Sequence, residues 1–155
     1  MFYTHVERGL GLPVSSFFNE FLHFYGLQPH HLGANCITQL SCFVTLCEAY
    51  LGVWPSMELF GMFFFLRSQT TAGHQRDCGS VSISSKGAPL PKINLPESIK
   101  KWKNTYFYVR NATGVDRIGL PAFSNSRPAD KSWSRKPVVD GDLHSILFEI
   151  GRAHV

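Results

Sequence analysis

A chain of 155 residues, 44% hydrophobic and 14% aromatic, holds enough apolar material for one core that buries roughly two thirds of the surface the unfolded chain exposes. That composition excludes a globally disordered chain, and the longest apolar run, LFGMFFFL at residues 59–66, falls far short of the roughly twenty residues a membrane-spanning helix needs. The formal charge of +4 is unevenly spread: residues 1–66 carry one arginine against four glutamates, a net −3, residues 67–138 carry thirteen lysines and arginines against four acids, a net +9, and the remainder carries −2.

Four cysteines, Cys36, Cys42, Cys47 and Cys78, accompany an N-terminal stretch with neither a basic leader nor a continuous apolar signal core. Free thiols in a reducing compartment follow as the expectation, with the chain intracellular, in cytoplasm or nucleus, and not in a membrane.

From Pro13 onward, Val14, Phe17, Phe18, Phe21, Leu22 and Tyr25 recur at helical spacing, with Pro13 suited to the first turn and Gly26 to the end. A second helix is expected with Asn35 as N-cap. It runs through Ile37, Leu40, Val44, Cys47 and Leu51 to Gly52, with Phe43, Leu46 and Tyr50 widening its apolar face toward central burial. Pro55 opens a third, shorter helical segment through Met57, Phe60, Phe63 and Phe64, weakened by Gly61 at a cost of about 1 kcal/mol against alanine.

After Arg67 the spacing changes to period two. GSVSISS at residues 79–85 alternates Val81 and Ile83 with serines and is followed by a turn at SKG. NTYFYVRN places Tyr106 and Tyr108 on one face and Phe107 and Val109 on the other, so residues 105–110 are expected to form a second strand. Pro89, Pro91 and Pro96 impose an extended connection between them. Asn111-Ala112-Thr113 reads as a polar turn rather than a glycosylated site, residues 118–137 as a surface loop, and Asp140 as the cap of a last helix carrying Leu143, Ile146 and Leu147. The terminal IGRAHV is what the codons ATC GGA AGA GCA CAC GTC specify, the start of a common sequencing adapter. Residues 150–155 are therefore expected to be a library artefact, with the natural chain continuing beyond Glu149. The fold class expected is α+β: a helical N-terminal half of about three helices packed with a small antiparallel sheet.

Chemistry-bearing constellations are thin. His74 with Cys78, Cys42 with Cys47 and the doublet His30-His31 include no Cys-x2-Cys pair, so a retroviral-type zinc knuckle is not expected, nor any metal or other cofactor. Cys36, Cys42 and Cys47 suit small core positions. There is no Gly-x-Ser-x-Gly elbow and no phosphate loop, and VDGD at residues 139–142 lacks the hydroxyl residue of an aspartic-protease turn. Asp77, Asp116, Asp130, Asp140 and Glu97 show no spacing that singles out a three-acid site. No catalytic residue is assigned and no enzyme is expected.

The stretch PESIKKWKNTYFYVRN is the exception. Lysines neutralise phosphates and aromatic faces stack on bases, so Lys100, Lys101, Trp102, Lys103, Tyr106, Tyr108 and Arg110 form a candidate nucleic-acid platform for RNA or DNA. The simpler reading, and the one preferred, is a helical turn or loop leading into a strand, with Phe107 and Val109 in the core and the lysines solvated; the nucleic-acid platform is its alternative.

The order of motifs resembles a plant family, the putative gypsy-type transposon proteins, over residues 7–123. FYGLQPHHL, FVTLCEAYLG and WKNTYFYVRN are its most specific pieces. The resemblance implies origin in a long-terminal-repeat retrotransposon and a non-enzymatic, structural or gag-side region, with partners in a second copy or other element-encoded proteins. It carries over no catalytic residue. Residues 124–149 are then a linker and the start of a truncated C-terminal segment.

Overall fold

The computed structural model describes residues 1–87, 94–110, 119–125 and 128. The expectations for the turn at 111–113, most of the loop at 118–137, the helix after Asp140 and residues 150–155 lie outside them.

The architecture is α+β, helices of the N-terminal half packed against a two-stranded antiparallel sheet. A short helix α1, Tyr3–Glu7, which sequence periodicity did not reveal, buries Thr4 and His5. Helix α2, Ser16–Tyr25, starts where Ser15 Oγ accepts the Phe18 N–H at 3.2 Å, so the N-cap is Ser15 and Pro13 lies outside the helix. It stops at Gly26, whose left-handed φ of 61° allows a Schellman closure: Gly26 N–H donates to His23 O and Leu27 N–H to Leu22 O at 2.8 Å. The expected face is the buried one, with Phe17, Phe18, Phe21, Leu22 and Tyr25 all inside.

Helix α3, Ala34–Thr45, is capped by Gly33 and not by Asn35, which sits inside the first turn. Its last stretch, Leu46–Leu51, widens into a π turn that ends on left-handed Gly52. The i→i+5 spacing breaks the 3.6-residue period that would have stacked Tyr50 beneath Phe43, so Tyr50 leaves the core. Helix α4, Met57–Phe63, begins at Ser56, whose Oγ accepts the Leu59 N–H at 3.2 Å.

Phe64 does not continue α4. It opens strand β1, Phe64–Ser68, in which Phe64 and Leu66 point inward and Phe65 and Arg67 outward. An exposed hairpin follows, β2 (Thr70–Thr71) and β3 (His74–Gln75), turned by Ala72 and Gly73 at φ 51° and 79°. Strand β4, Val81–Ser85, pairs antiparallel with β1 in the register Phe64↔Ser85, Leu66↔Ile83, Ser68↔Val81. Its alternation is as expected. Helix α3 covers the sheet, with Cys36 Sγ donating to Val81 O and Gln39 Nε2 to Ile83 O, both at 3.3 Å.

The second expected strand does not form. In residues 105–110 only Tyr106 is bridged, antiparallel to Phe2, and a short 3-10 turn, Trp102–Asn104, precedes it. Alternation alone cannot make a strand: it needs a partner, and among the described residues the one it meets is the short stretch Met1 to Tyr3. Phe107 correspondingly lies at the surface rather than in the core.

The core is a cluster of phenylalanine rings. Phe60, fully buried, stands 5.0–6.0 Å from Phe17, Phe21, Phe43 and Phe64, so α2, α3, α4 and β1 all meet on this ring.

Candidate functional site

The basic aromatic segment is held to the body by backbone contacts from its two ends. Asn35 Nδ2 donates to Pro96 O at 3.2 Å and Arg8 Nη2 to Glu97 O at 3.3 Å. At the other end Tyr3 N–H donates to Thr105 O at 3.0 Å, Phe107 N–H to Met1 O at 2.8 Å, and the Met1 ammonium to Phe107 O at 2.7 Å. Burial pushes that ammonium below its ordinary pKa.

The seven candidate residues divide into two groups. Trp102 is half-buried, edge-on to Phe2 at 4.7 Å and 5.5 Å from the His5 ring. Lys103 Nζ is committed to Cys78 O at 2.6 Å and sits 5.6 Å from the centre of the Trp102 ring. These two anchor the segment. Lys100, Lys101, Tyr106, Tyr108 and Arg110 are exposed. Tyr106 is 59% and Tyr108 91% exposed, their rings 6.0 Å apart and nearly perpendicular at 88°.

A second exposed aromatic pair lies elsewhere. Tyr50 at 79% and Trp54 at 84% exposure flank Gly52 on the connection from the π turn to α4. That connection is fixed by the left-handed Gly52 and by Val53 N–H donating to Cys47 O at 3.0 Å, with the Val53 side chain packed on the core. Sequence periodicity places Tyr50 in the core and is silent on Trp54. The available signal is that Trp54 falls between the helix-ending Gly52 and Pro55, outside any periodic apolar face.

The remaining titratable groups are arranged for packing. Burial pushes the Cys36 thiol up to about 11 and the Cys47 thiol up to about 12. Burial likewise brings His5 down to about 4, against a hydrogen bond from Nε2 to Leu32 O at 3.1 Å, and its Nδ1 has no hydrogen-bond partner among the described residues. His30 is brought down to about 4 by burial and by the adjacent His31, whose Nδ1 accepts the Gln28 N–H at 3.0 Å. The His30 and His31 rings are 4.1 Å apart, yet among the described residues no three His, Cys, Asp or Glu side chains are placed to hold a metal ion. All four cysteines are free. Among the described residues no helix is long and apolar enough to cross a membrane.

A cavity of about 330 Å³ opens between the α1–α2 connection and α3, lined by Leu10, Phe17, Phe18, Leu40 and Val44. Its hydroxyls are turned to the protein: Ser41 Oγ donates to Gly9 O and Thr45 Oγ1 to Ser41 O. It presents apolar wall rather than reactive groups.

No curated protein and no solved structure matches this chain. The family described as putative gypsy type transposon matches residues 1–68, a segment that ends on the last residue of β1 and is shorter than the 7–123 suggested by the motifs. That match to the putative gypsy type transposon family runs from the N-terminal pairing segment through α1 to α4 and β1.

Proposed function

We propose that this gypsy-type transposon-derived domain is a non-enzymatic, gag-side component of a retrotransposon that acts through protein association, with Tyr50 and Trp54 at the centre of the contact. The observation that carries the reading is the exposure of these two rings, 79% and 84%, on a connection whose backbone is fixed. Large aromatic side chains displayed on a fixed backbone are costly to hydrate and lose little entropy on docking, which makes them the usual energetic centre of an interface. The partner is a second copy of this chain or another protein encoded by the same element.

Chemical character supports the non-enzymatic part. The buried Cys36 and Cys47 are held as thiols, and His5 and His30 are poor bases at neutral pH, so these groups are ill-suited to nucleophilic or proton-transfer work. Sedimentation velocity of the full chain tests the association. The expected result is a mass that rises with concentration and collapses to the monomer in Tyr50→Ser/Trp54→Ser. A monomer at every attainable concentration overturns self-association.

A further inference from the structure

We propose that residues 100–110 are a binding site for single-stranded nucleic acid, with Tyr106 and Tyr108 as stacking faces and Lys100, Lys101 and Arg110 as phosphate contacts. This goes beyond protein association and uses different residues from the Tyr50–Trp54 pair.

Phe2 brings the two halves of the site together. Its ring packs on Trp102, which directly follows the lysine pair, while its backbone bridges Tyr106. Residues opposed in such a bridge have Cβ atoms about 5 Å apart, so the lysine turn and the tyrosine pair flank the same residue. Lys101 has a left-handed φ of 58° at the turn that leads into Trp102–Asn104.

The backbone beneath the tyrosines is preorganised. The paired hydrogen bonds between Met1 and Phe107 fix the residue between the two rings. Such a platform loses less entropy on binding than a free tail would. Charge supplies the choice of partner. Residues 67–138 carry a net +9, and Lys100, Lys101 and Arg110 are exposed, whereas Lys103 is bound to Cys78 O. Glu97 is the acid nearest in sequence, and Arg8 lies against its backbone carbonyl. Exposed cations interleaved with open aromatic faces fit a phosphate backbone whose bases are free to stack.

Ring geometry narrows the ligand further. Two faces at 88° cannot continue one parallel stack, so bases seated on both must be splayed apart. A flexible pyrimidine strand splays readily. A purine strand must first give up its own stacking.

The test is fluorescence anisotropy of labelled oligo(dT) and oligo(dA), each of about 16 nucleotides, with the full chain across a salt series. Wild type is expected to bind oligo(dT) more tightly than oligo(dA). For three phosphate contacts the slope of log K against log salt includes about −2. Tyr106→Ser/Tyr108→Ser should weaken oligo(dT) binding by about 10-fold or more with the slope unchanged. Lys100→Gln/Lys101→Gln/Arg110→Gln should flatten the slope by about 2. Tyr108→Ser alone, at the more exposed ring, gives the same reading if the double variant fails to fold. A slope near zero, tyrosine variants that bind as wild type, or an equal or tighter grip on oligo(dA) would overturn the proposal. Sedimentation of the tyrosine variants should match wild type, so failure here and failure of the association reading are distinguishable.

Discussion

Trp102 stands edge-on to Phe2, ring centroids 4.7 Å apart and planes at 78°, and through this contact the basic segment is carried by the N-terminus of the chain. The same indole lies over Gly79, where a side-chain methyl group on that residue would come within 2.9 Å of Trp102 Cζ2. Trp102 is thus clamped between α1 and the loop that leads into β4, and the exposed tyrosines inherit their position from it.

Gly79→Ala should therefore loosen the segment. Gly79 has a φ of +63°, so alanine incurs the left-handed penalty as well as the collision with the indole, together roughly 1–3 kcal/mol. A lowered Tm and a red-shifted tryptophan emission are the expected outcomes. In a Trp102→Ala background the collision is gone and Gly79→Ala should cost only the backbone part, about 1 kcal/mol; equal costs in both backgrounds would contradict the clamp.

Acid should destabilise the fold through His5. Its folded-state pKa is about 4 against roughly 6.5 unfolded, so between these values the unfolded chain binds the extra proton. The stability contributed by keeping His5 neutral is complete above about 6.5 and is lost as pH falls toward 4, on the order of 3 kcal/mol. The groups that act on the ring are the Leu32 carbonyl, which favours protonation, and the Met1 ammonium and His30, which oppose it. Urea midpoints should fall between about pH 7 and pH 5. His5→Gln, neutral throughout, should flatten much of that dependence, leaving the part due to His30, which is lowered to about 4 as well. An unchanged pH profile in His5→Gln would refute the assignment.

Phe60 is the residue whose truncation should cost most. Its ring is shared by Phe17, Phe21, Phe43 and Phe64, and Phe60→Ala leaves a cavity that four elements border. The expected loss is about 3–5 kcal/mol, with Phe60→Leu retaining a larger part of the stability. Denaturant unfolding measures both, and a Phe60→Ala variant within about 1 kcal/mol of wild type would show that the core does not converge there.

Much of this fold is legible in the sequence because its signals are local. The spacing of Phe17, Phe18, Phe21, Leu22 and Tyr25 needs nothing outside α2 to be a buried face, and Val81 and Ile83 alternate as β4 requires. What stays hidden depends on distant partners. Phe63 and Phe64 suit a helix and a strand equally, and only pairing with β4 assigns Phe64 to β1. The alternation at residues 105–110 is real, but among the described residues it meets only Met1 to Tyr3 as a pairing neighbour. In the candidate nucleic-acid site, residue types are readable while the split between anchors, Trp102 and Lys103, and open residues, Tyr106 and Tyr108, is set by contacts with Phe2 and Cys78. The π turn that exposes Tyr50 has no comparable signature in the sequence.

The four free cysteines should separate into two pairs by reactivity. Attack on a disulfide reagent requires thiolate, and at about pH 8 a thiol pushed up to about 11, as Cys36 is, holds roughly one ionised molecule in a thousand. Cys36 is also buried and donates its S–H to Val81 O, while Cys47, pushed up to about 12, is fully buried within the π turn. Cys42 and Cys78 are half-buried. The native chain should therefore release thiol colour from Cys42 and Cys78 first, and from Cys36 and Cys47 only after denaturant is added, with mass spectrometry assigning each adduct. Labelling of Cys36 or Cys47 in the native state at the rate of Cys42 would mean an accessible thiolate and would contradict the burial that holds these two as thiols.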